Sequence, residues 1–204
     1  MSTKDNKIFW ERVAKFYTPL QERGNRKLYL QTIRHLTQYL TKDMRVLEIG
    51  SGTGQFTFVL YDRVAYYEAT DFSEKMIQEA KKIRSEGIHY SVQDATKLTY
   101  SDESFSAVII ANVLHVMPDP AKALSEIYRV LKPNGLLIAP TFIYEGKMNK
   151  LRLWFLERVG FKTFHKWSSA GYTNYIRNQR FKIVEHLVFA GKLLPECLVI
   201  AKKN

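Results

Sequence analysis

The spacing of hydrophobic residues along the chain changes near residue 44. Before that point, apolar side chains recur every three or four positions in two stretches, residues 8–20 and 28–40, which predicts two amphipathic helices. Beyond it, five short apolar strands are predicted, at residues 44–49, 64–69, 88–92, 105–110 and 136–139. Helices are predicted between them, at residues 56–61, 74–84 and 121–131. Strands that alternate with helices indicate βαβ units and a mainly parallel sheet.

The last third of the chain has a looser pattern. A basic, apolar helix is predicted at residues 150–159, and a second helix begins near Ser168 or Ser169 and ends at Asn178. Two long strands follow, at residues 181–189 and 194–202, and their short connection around Gly191 predicts an antiparallel pair at the edge of the sheet. The expected fold class is therefore α/β, with a doubly wound sheet and helices on both of its faces.

Two local signals add to this outline of the helices. Ser73 is the expected N-cap of the helix at residues 74–84, because a serine hydroxyl can accept a backbone N–H of the first turn. The tract 132–135, Lys-Pro-Asn-Gly, is expected to end the helix at residues 121–131 and to separate it from the next strand. No linker, repeat or low-complexity segment interrupts the 204 residues, so a single domain is expected.

The composition and the terminal segment indicate in which cellular compartment the protein is expected. The chain is 46% hydrophobic, which is sufficient for one globular core, and its single cysteine, Cys197, cannot form an internal disulfide. The first ten residues lack the apolar segment of a signal peptide. No uncharged run approaches the ~20 residues that a membrane span needs. We therefore expect a cytoplasmic protein.

The net charge of +11 is unevenly distributed. Residues 1–43 carry nine basic and four acidic side chains, and residues 145–204 carry twelve and four, whereas the middle of the chain has a net charge of −2. Basic flanks favour an anionic partner such as a nucleic acid, a membrane surface or an acidic substrate. A solvated basic face that keeps the protein soluble is an equal alternative.

The stretch from Val46 to Gln55, VLEIGSGTGQ, joins the first predicted strand of the sheet to a glycine-rich turn. Its glycines are spaced G-x-G-x-G, and Gln55 occupies the position where a dinucleotide fingerprint has its third glycine. Glu48 stands two residues before the turn, where a carboxylate disfavours a pyrophosphate. An acid there suits a ligand with a positive group, such as S-adenosylmethionine with its ammonium and sulfonium.

Two further acids come where strands are expected to end. Asp71 ends the second strand, 21 positions after Gly50, where a carboxylate can accept both hydroxyls of a ribose. Asp94 ends the third strand, where it can accept an adenine amino group. Alternatively, Asp71 caps the next helix and Asp94 stabilises a turn. Together with Glu48, the two acids favour an adenosine-bearing ligand at the carboxyl edge of the sheet.

With these motifs the sequence resembles the class I S-adenosylmethionine-dependent methyltransferases, in the methyltransferase type 11 subset that includes quinone-biosynthesis enzymes. The resemblance rests on residues 46–54, 71–76, 93–95, 104–110 and 121–137. It implies a Rossmann-like, seven-stranded sheet whose last strand is antiparallel, and S-adenosylmethionine as cofactor. Asn134 departs from the family pattern, which has glycine there, but asparagine also tolerates that turn geometry.

The resemblance also implies that three segments of the single domain have different roles. Residues 1–43 would form a helical cap, residues 44–140 the cofactor-binding core, and residues 141–204 a substrate cover with the terminal strand pair. Twelve residues are expected to bind the cofactor: Glu48, Gly50, Ser51, Gly52, Thr53, Gly54, Asp71, Phe72, Met76, Asp94, Ala95 and Asn112.

These residues would each meet a different part of the cofactor. Glu48 and the glycines would surround the methionine part, and Asp71 would hold the ribose. Phe72 and Met76 would flank the adenine, while Asp94 and the Ala95 N–H would meet its polar edge. Asn112, after the fourth strand, would lie between cofactor and substrate.

Methyl transfer is an in-line displacement, so the enzyme mainly aligns the reacting atoms, and it needs a base only when the nucleophile is protonated. His115 is the best-placed candidate base, although it could instead pack in the loop before Met117. Tyr17 could face the sulfonium from the N-terminal segment, or it could pack on its own helix. The other histidines have no metal-like spacing, so no metal is expected.

The expected acceptor is a small or lipid-like molecule. Residues 142–175 are rich in aromatic and basic side chains, which suit a flat acceptor with an anionic group. Residues 151–156 could touch an anionic membrane surface, or they could belong to a core helix with basic residues at its exposed positions. The basic flanks also permit an RNA methyltransferase, but the Asn/Asp-Pro-Pro-aromatic signature of base methylation is missing after strand four, where Ala111–Leu114 reads ANVL. A non-catalytic protein that binds S-adenosylmethionine is a third alternative.

Overall fold

The computed structural model describes residues 11, 12, 14, 26–145, 163–192 and 194–204. A seven-stranded sheet lies at the centre of this part of the chain. Its strands are β1 Arg45–Ile49, β2 Tyr66–Asp71, β3 His89–Val92, β4 Phe105–Ile110, β5 Leu131–Phe142, β6 Phe181–Phe189 and β7 Glu196–Lys203. The helices are α1 at residues 26–36, α2 Thr57–Leu60, α3 Glu74–Ile83, α4 Pro120–Val130 and α5 Ser169–Asn178. Short 3₁₀ turns occupy Thr37–Tyr39, Tyr61–Arg63 and Leu114–Val116.

The strand order is β3-β2-β1-β4-β5-β7-β6. Strands β1 to β5 are parallel, and β7 is antiparallel to both of its neighbours. The predicted α/β class, the doubly wound sheet and the antiparallel last strand are confirmed. The strand order reverses between β1 and β4, which opens a crevice at their carboxyl ends, where ligands bind in this class of fold.

The terminal strand pair differs from its prediction in one respect. β6 and β7 do pair antiparallel, but only β6 lies at the edge of the sheet, because β7 is inserted between β5 and β6. Cys197 to Ala201 of β7 are therefore covered by strands on both sides and fully buried. Their continuous apolar run is typical of such an internal position.

Two predicted boundaries were wrong. β2 runs from Tyr66 to Asp71, two residues later than predicted, so that Asp71 is its last residue. The tract 132–135 does not separate α4 from β5, because β5 begins directly at Leu131. The register shifts there, with Phe105 opposite Leu131 but Ala107 opposite Leu136. The extra residues bulge, and Asn134 adopts a left-handed φ of 60° that asparagine tolerates.

The core fills both faces of the sheet because the side chains of each central strand alternate between them. Val108 and Ile110 of β4 pack on one face against α4 and α5. Ala107 and Ile109 pack on the other face against α1 and α2. Within the described residues, no helix is both long and apolar enough to cross a bilayer.

Side-chain caps fix where three helices begin. The Ser73 hydroxyl accepts the Met76 N–H at 3.3 Å, which confirms the predicted cap of α3. Of the two serines considered for α5, Ser168 is the cap and accepts the Gly171 N–H. Asp119 caps α4 just before Pro120, whose missing N–H is harmless at the first helical position. α3 and α4 are thereby held with their N-termini toward the crevice between β1 and β4.

Candidate cofactor-binding site

A cavity of about 260 Å³ opens at the carboxyl ends of β1, β2, β3 and β4. Eight of the predicted cofactor residues line it: Gly50, Gly52, Asp71, Phe72, Met76, Asp94, Ala95 and Asn112. Glu48, Ser51, Thr53 and Gly54 are not among the described residues that line it. The position of the cavity agrees with the switch point of the sheet.

The glycine turn after β1 requires glycine for geometric reasons. Gly50, Gly52 and Gly54 all have left-handed φ angles, of 71°, 56° and 97°. A Cβ on Gly50 would lie 2.2 Å from the Val113 Cγ2 atom, and a Cβ on Gly54 would lie 2.5 Å from the ring of Phe58. The alternating glycines therefore satisfy both a tight backbone turn and close packing around it.

Asp71 connects β2 to this turn. One carboxylate oxygen accepts the Gly52 N–H at 2.9 Å, and the other accepts the Ser73 N–H at 2.8 Å. Burial raises the pKa of Asp71 to about 6, and the backbone hydrogen bonds oppose the rise. Each oxygen keeps a further acceptor position, which is what two neighbouring ribose hydroxyls require.

Asp94 lies where the third strand ends. Its Oδ1 atom accepts both the N–H of Thr96 at 2.9 Å and its hydroxyl at 2.7 Å. The alternative that Asp94 stabilises a turn is thus correct, but it does not conflict with binding. Oδ2 makes no hydrogen bond to the described residues and belongs to a side chain that lines the cavity. It could accept an amino group there.

The carboxylate of Glu48 was expected beside the methionine part of the cofactor, but Glu48 does not line the cavity. Strand alternation directs it to the opposite side, where Oε2 accepts hydrogen bonds from the hydroxyls of Thr57 and Tyr67. Burial raises its pKa to about 7. Glu48 therefore joins β1 and β2 to the first residue of α2 and supports the glycine turn from behind.

His115 is buried and lies behind the cavity wall rather than on it. Its Nδ1 atom is 3.0 Å from the Thr141 hydroxyl, and its ring meets the edge of Phe142. Burial lowers its pKa to about 3, with a smaller contribution from His165. This placement favours the packing alternative for His115, because a base of so low a pKa takes up protons poorly.

Other expectations fall outside the described residues. These are Tyr17, the helix at 150–159 and the membrane-contacting residues 151–156. Of the described aromatic residues of the expected substrate cover, Tyr172 is instead part of the core, where its hydroxyl donates to the Ala139 carbonyl at 3.1 Å. Among the described residues, no group of three or more acidic, histidine or cysteine side chains could hold a metal ion.

Glu196 was not predicted from the sequence as a residue of the site. It is fully buried at the start of β7, and its carboxylate accepts the Asn112 Nδ2–H at 2.7 Å and the Thr32 hydroxyl at 2.5 Å. Burial raises its pKa. An acid directly before the apolar run of β7 is the local signal of this cluster. Its partners are 84 and 164 positions away, so only the fold brings them together.

Comparison with known proteins bears on this cavity. Residues 47–139 match the family model described as a methyltransferase domain, and they include all twelve predicted cofactor residues. The chain carries a class I S-adenosylmethionine-dependent methyltransferase domain. S-adenosylmethionine is accordingly the cofactor of this domain.

The curated relatives match the methyltransferase domain only. A ubiquinone/menaquinone biosynthesis C-methyltransferase of Desulfotalea psychrophila is 38% identical over 94 residues, which are 45% of this chain and 38% of the relative. A demethylmenaquinone methyltransferase of Lactobacillus johnsonii is 40% identical over 97 residues, which are 44% of this chain and 40% of the relative. The alignments thus span well under half of these proteins.

Solved structures match over more of the chain, at identities that show the fold alone. A chain of the complex between the Haloferax volcanii Trm112 methyltransferase activator and a methyltransferase has a TM-score of 0.78 at 19% identity, covering 95% of this chain and 97% of that chain. A methyltransferase of Thermotoga maritima reaches 0.76 at 24%, with coverages of 97% and 99%. The [4+2]-cyclase SpnF reaches 0.69 at 18%, with coverages of 87% and 80%. The fold is therefore shared by proteins of different chemistry.

The residues of the methyltransferase domain fit S-adenosylmethionine. Asp71 and Asp94 bring acceptor oxygens to the cavity at the ends of β2 and β3. The side chains of Phe72 and Met76 also line the cavity and offer apolar surface. The Asn112 Oδ1 atom is buried and has no hydrogen-bond partner among the described residues. An unpartnered buried acceptor in a ligand cavity suits a ligand that brings a donor.

Proposed function

We propose that this protein transfers the methyl group of S-adenosylmethionine to a small-molecule or lipid-like acceptor by in-line displacement. One observation carries the proposal. The carboxylates of Asp71 and Asp94 and the turn at Gly50 line a single cavity at the switch point of the sheet. That combination suits a ligand with a ribose, an amino-bearing base and a cationic tail.

The residues of the cavity would bind and align rather than react. S-adenosylmethionine, when bound, supplies an electrophilic methyl group. Asp71 would accept the ribose hydroxyls and Asp94 the adenine amino group, while Gly50 lets the backbone approach closely. Val113 and Val116 contribute apolar wall that excludes water from the reacting atoms. Alignment in a dry site supplies much of the acceleration that such a displacement needs.

The acceptor class rests on two observations. One curated relative is named a C-methyltransferase of ubiquinone and menaquinone biosynthesis and another a demethylmenaquinone methyltransferase, and from these names we infer a small, lipid-like acceptor for this chain. The basic residues of the two flanks favour an acceptor with an anionic group. The proposal gives no proton transfer to His115, because its buried and neutral imidazole lies off the cavity.

A transfer assay tests the proposal. The protein is incubated with methyl-tritiated S-adenosylmethionine and a cell extract, which is then separated into RNA, protein, lipid and small molecules. We expect label in the lipid or small-molecule fraction, absent with Asp71→Ala and retained with Asp62→Ala, an exposed acid away from the cavity. Label in RNA would show that the acceptor is RNA and not a small or lipid-like molecule. Binding without label in any fraction would favour the non-catalytic alternative.

A further inference from the structure

Glu196 is a buried carboxylate without a cationic partner. It is fully inaccessible, and its two recorded hydrogen bonds come from neutral groups, the Thr32 hydroxyl and the Asn112 amide. No lysine, arginine or histidine of the described residues forms an ion pair with it. A buried carboxylate is normally paired with a cation, because its desolvation costs free energy that neutral donors offset only in part.

Asn112 connects this carboxylate to the cofactor cavity. Its Nδ2 atom donates to Glu196, its backbone N–H donates to the Pro140 carbonyl at 2.8 Å, and its φ of 56° is left-handed. These contacts hold the amide in one orientation. The other end of the amide, Oδ1, is the buried acceptor that lacks a partner among the described residues. A left-handed asparagine held in this way at a ligand cavity is typical of a functional position.

The order of the strands gives the direction of the ligand. Asp94 follows β3, Asp71 ends β2, Gly50 follows β1 and Asn112 follows β4, and these strands are adjacent in that order. Three strand spacings separate the first position from the last, roughly 14 Å. An extended ligand with adenine at Asp94 and ribose at Asp71 therefore reaches Asn112 with the end opposite to its adenine.

We propose that Glu196 positions Asn112 so that its Oδ1 atom accepts a hydrogen bond from the ammonium group of S-adenosylmethionine, with the Glu196 carboxylate as the nearby countercharge. The inference rests on the proposed function. The ammonium is the ligand group that brings both a positive charge and N–H donors. The carboxylate of the ligand would be repelled here, and the sulfonium has no proton to donate. Glu196 acts through Asn112 and is a positioning residue.

Two ligands that differ in the amino-acid tail test the role of Glu196. S-adenosylhomocysteine keeps the ammonium, whereas 5′-methylthioadenosine has the same adenosine and sulfur but no amino-acid part. Calorimetry at pH 7.5 compares both ligands on the wild type and on Glu196→Gln, which keeps the shape and removes the charge. We expect at least tenfold weaker binding of S-adenosylhomocysteine and a change below twofold for 5′-methylthioadenosine.

Two more variants separate positioning from folding. Thr32→Val removes the second hydrogen bond to the Glu196 carboxylate without changing any charge, and we expect a smaller loss of about threefold, again for S-adenosylhomocysteine only. Glu68→Gln is the matched control. Glu68 is also buried and also bonded by hydroxyls, those of Tyr66, Ser91 and Tyr100, but it does not line the cavity. We expect this variant to bind both ligands like the wild type.

Each outcome decides between the two proposals. Equal losses for the two ligands would assign Glu196 a structural role and overturn the inference, and so would unchanged binding of S-adenosylhomocysteine. If Glu196→Gln does not fold, the ligand selectivity of Thr32→Val decides in its place. If the wild type binds neither ligand, the proposed function fails as well. Wild-type binding of both ligands without selective loss in the variants rejects only the role of Glu196.

Discussion

Asp71 and Gly52 are joined by a hydrogen bond of 2.9 Å from the glycine N–H to the carboxylate. The bond ties the last residue of β2 to the middle of the turn after β1. The second oxygen of Asp71 holds the N–H of Ser73, the cap of α3. One side chain thus fixes both backbone segments that flank the predicted ribose position.

The first prediction concerns Asp71. Asp71→Ala removes the acceptors for the ribose and also releases the turn at Gly52, so we expect S-adenosylmethionine to bind at least tenfold more weakly by calorimetry. Asp62→Ala, which changes an exposed acid, should bind normally. An affinity of Asp71→Ala within twofold of the wild type would show that this carboxylate does not hold the ligand.

A second prediction concerns the packing of Gly50. Its added methyl group in Gly50→Ala would overlap the Val113 side chain and would also occupy a left-handed φ, so we expect a loss of stability of about 1–3 kcal/mol and weaker cofactor binding. In the double variant with Val113→Ala, the overlap disappears while the backbone strain remains. Partial recovery of both quantities is expected, measured by urea unfolding and calorimetry with Val113→Ala alone as reference.

The third prediction follows from the raised pKa of Glu48. Burial raises this pKa to about 7, so the folded protein holds the proton more tightly than the unfolded chain does. The free energy of unfolding should therefore fall as pH rises from the ordinary value of 4.5 to about 7, and stay level above. Glu48→Gln removes this decline, so its stability relative to the wild type should grow by at most about 3 kcal/mol between pH 5 and pH 8.

Urea unfolding of both proteins at the two pH values measures this difference. Glu74→Gln, a change at an exposed acid of α3, is the control and should follow the wild type. Parallel pH curves for Glu48→Gln and the wild type would contradict a protonated, buried Glu48.

The fourth prediction concerns His115, whose contribution to stability changes with pH in the direction opposite to that of Glu48. Burial lowers its pKa to about 3, so acid favours the unfolded chain, in which the imidazole is free to take a proton. The stability that this group contributes should be complete above pH 6.5 and be lost as pH falls toward 3. By pH 5 the loss should reach about 2 kcal/mol. His115→Gln should flatten this acid limb in urea unfolding, whereas His186→Gln, at an exposed histidine, should not.

The elements of the fold follow from local patterns. The apolar run of β4 was predicted with its correct ends because a strand covered on both faces needs an apolar residue at nearly every position. The cap at Ser73 was predicted for a similar reason, since a hydroxyl satisfies the free N–H groups of the first turn. The start of β5 was not predicted correctly, because pairing with β4 extends this strand through a tract that is typical of a turn.

The sequence by itself determined the class of fold, the glycine-rich turn after β1 and the acids at the ends of β2 and β3. Each depends on the conformational range of single residues or on the period of a short segment. Only the tertiary structure decided that Glu48 supports the turn from behind, that His115 is buried, and that Glu196 meets Asn112. Those contacts join residues of separate elements, and the hydrogen bonds that they form exist only after the sheet and its helices have packed.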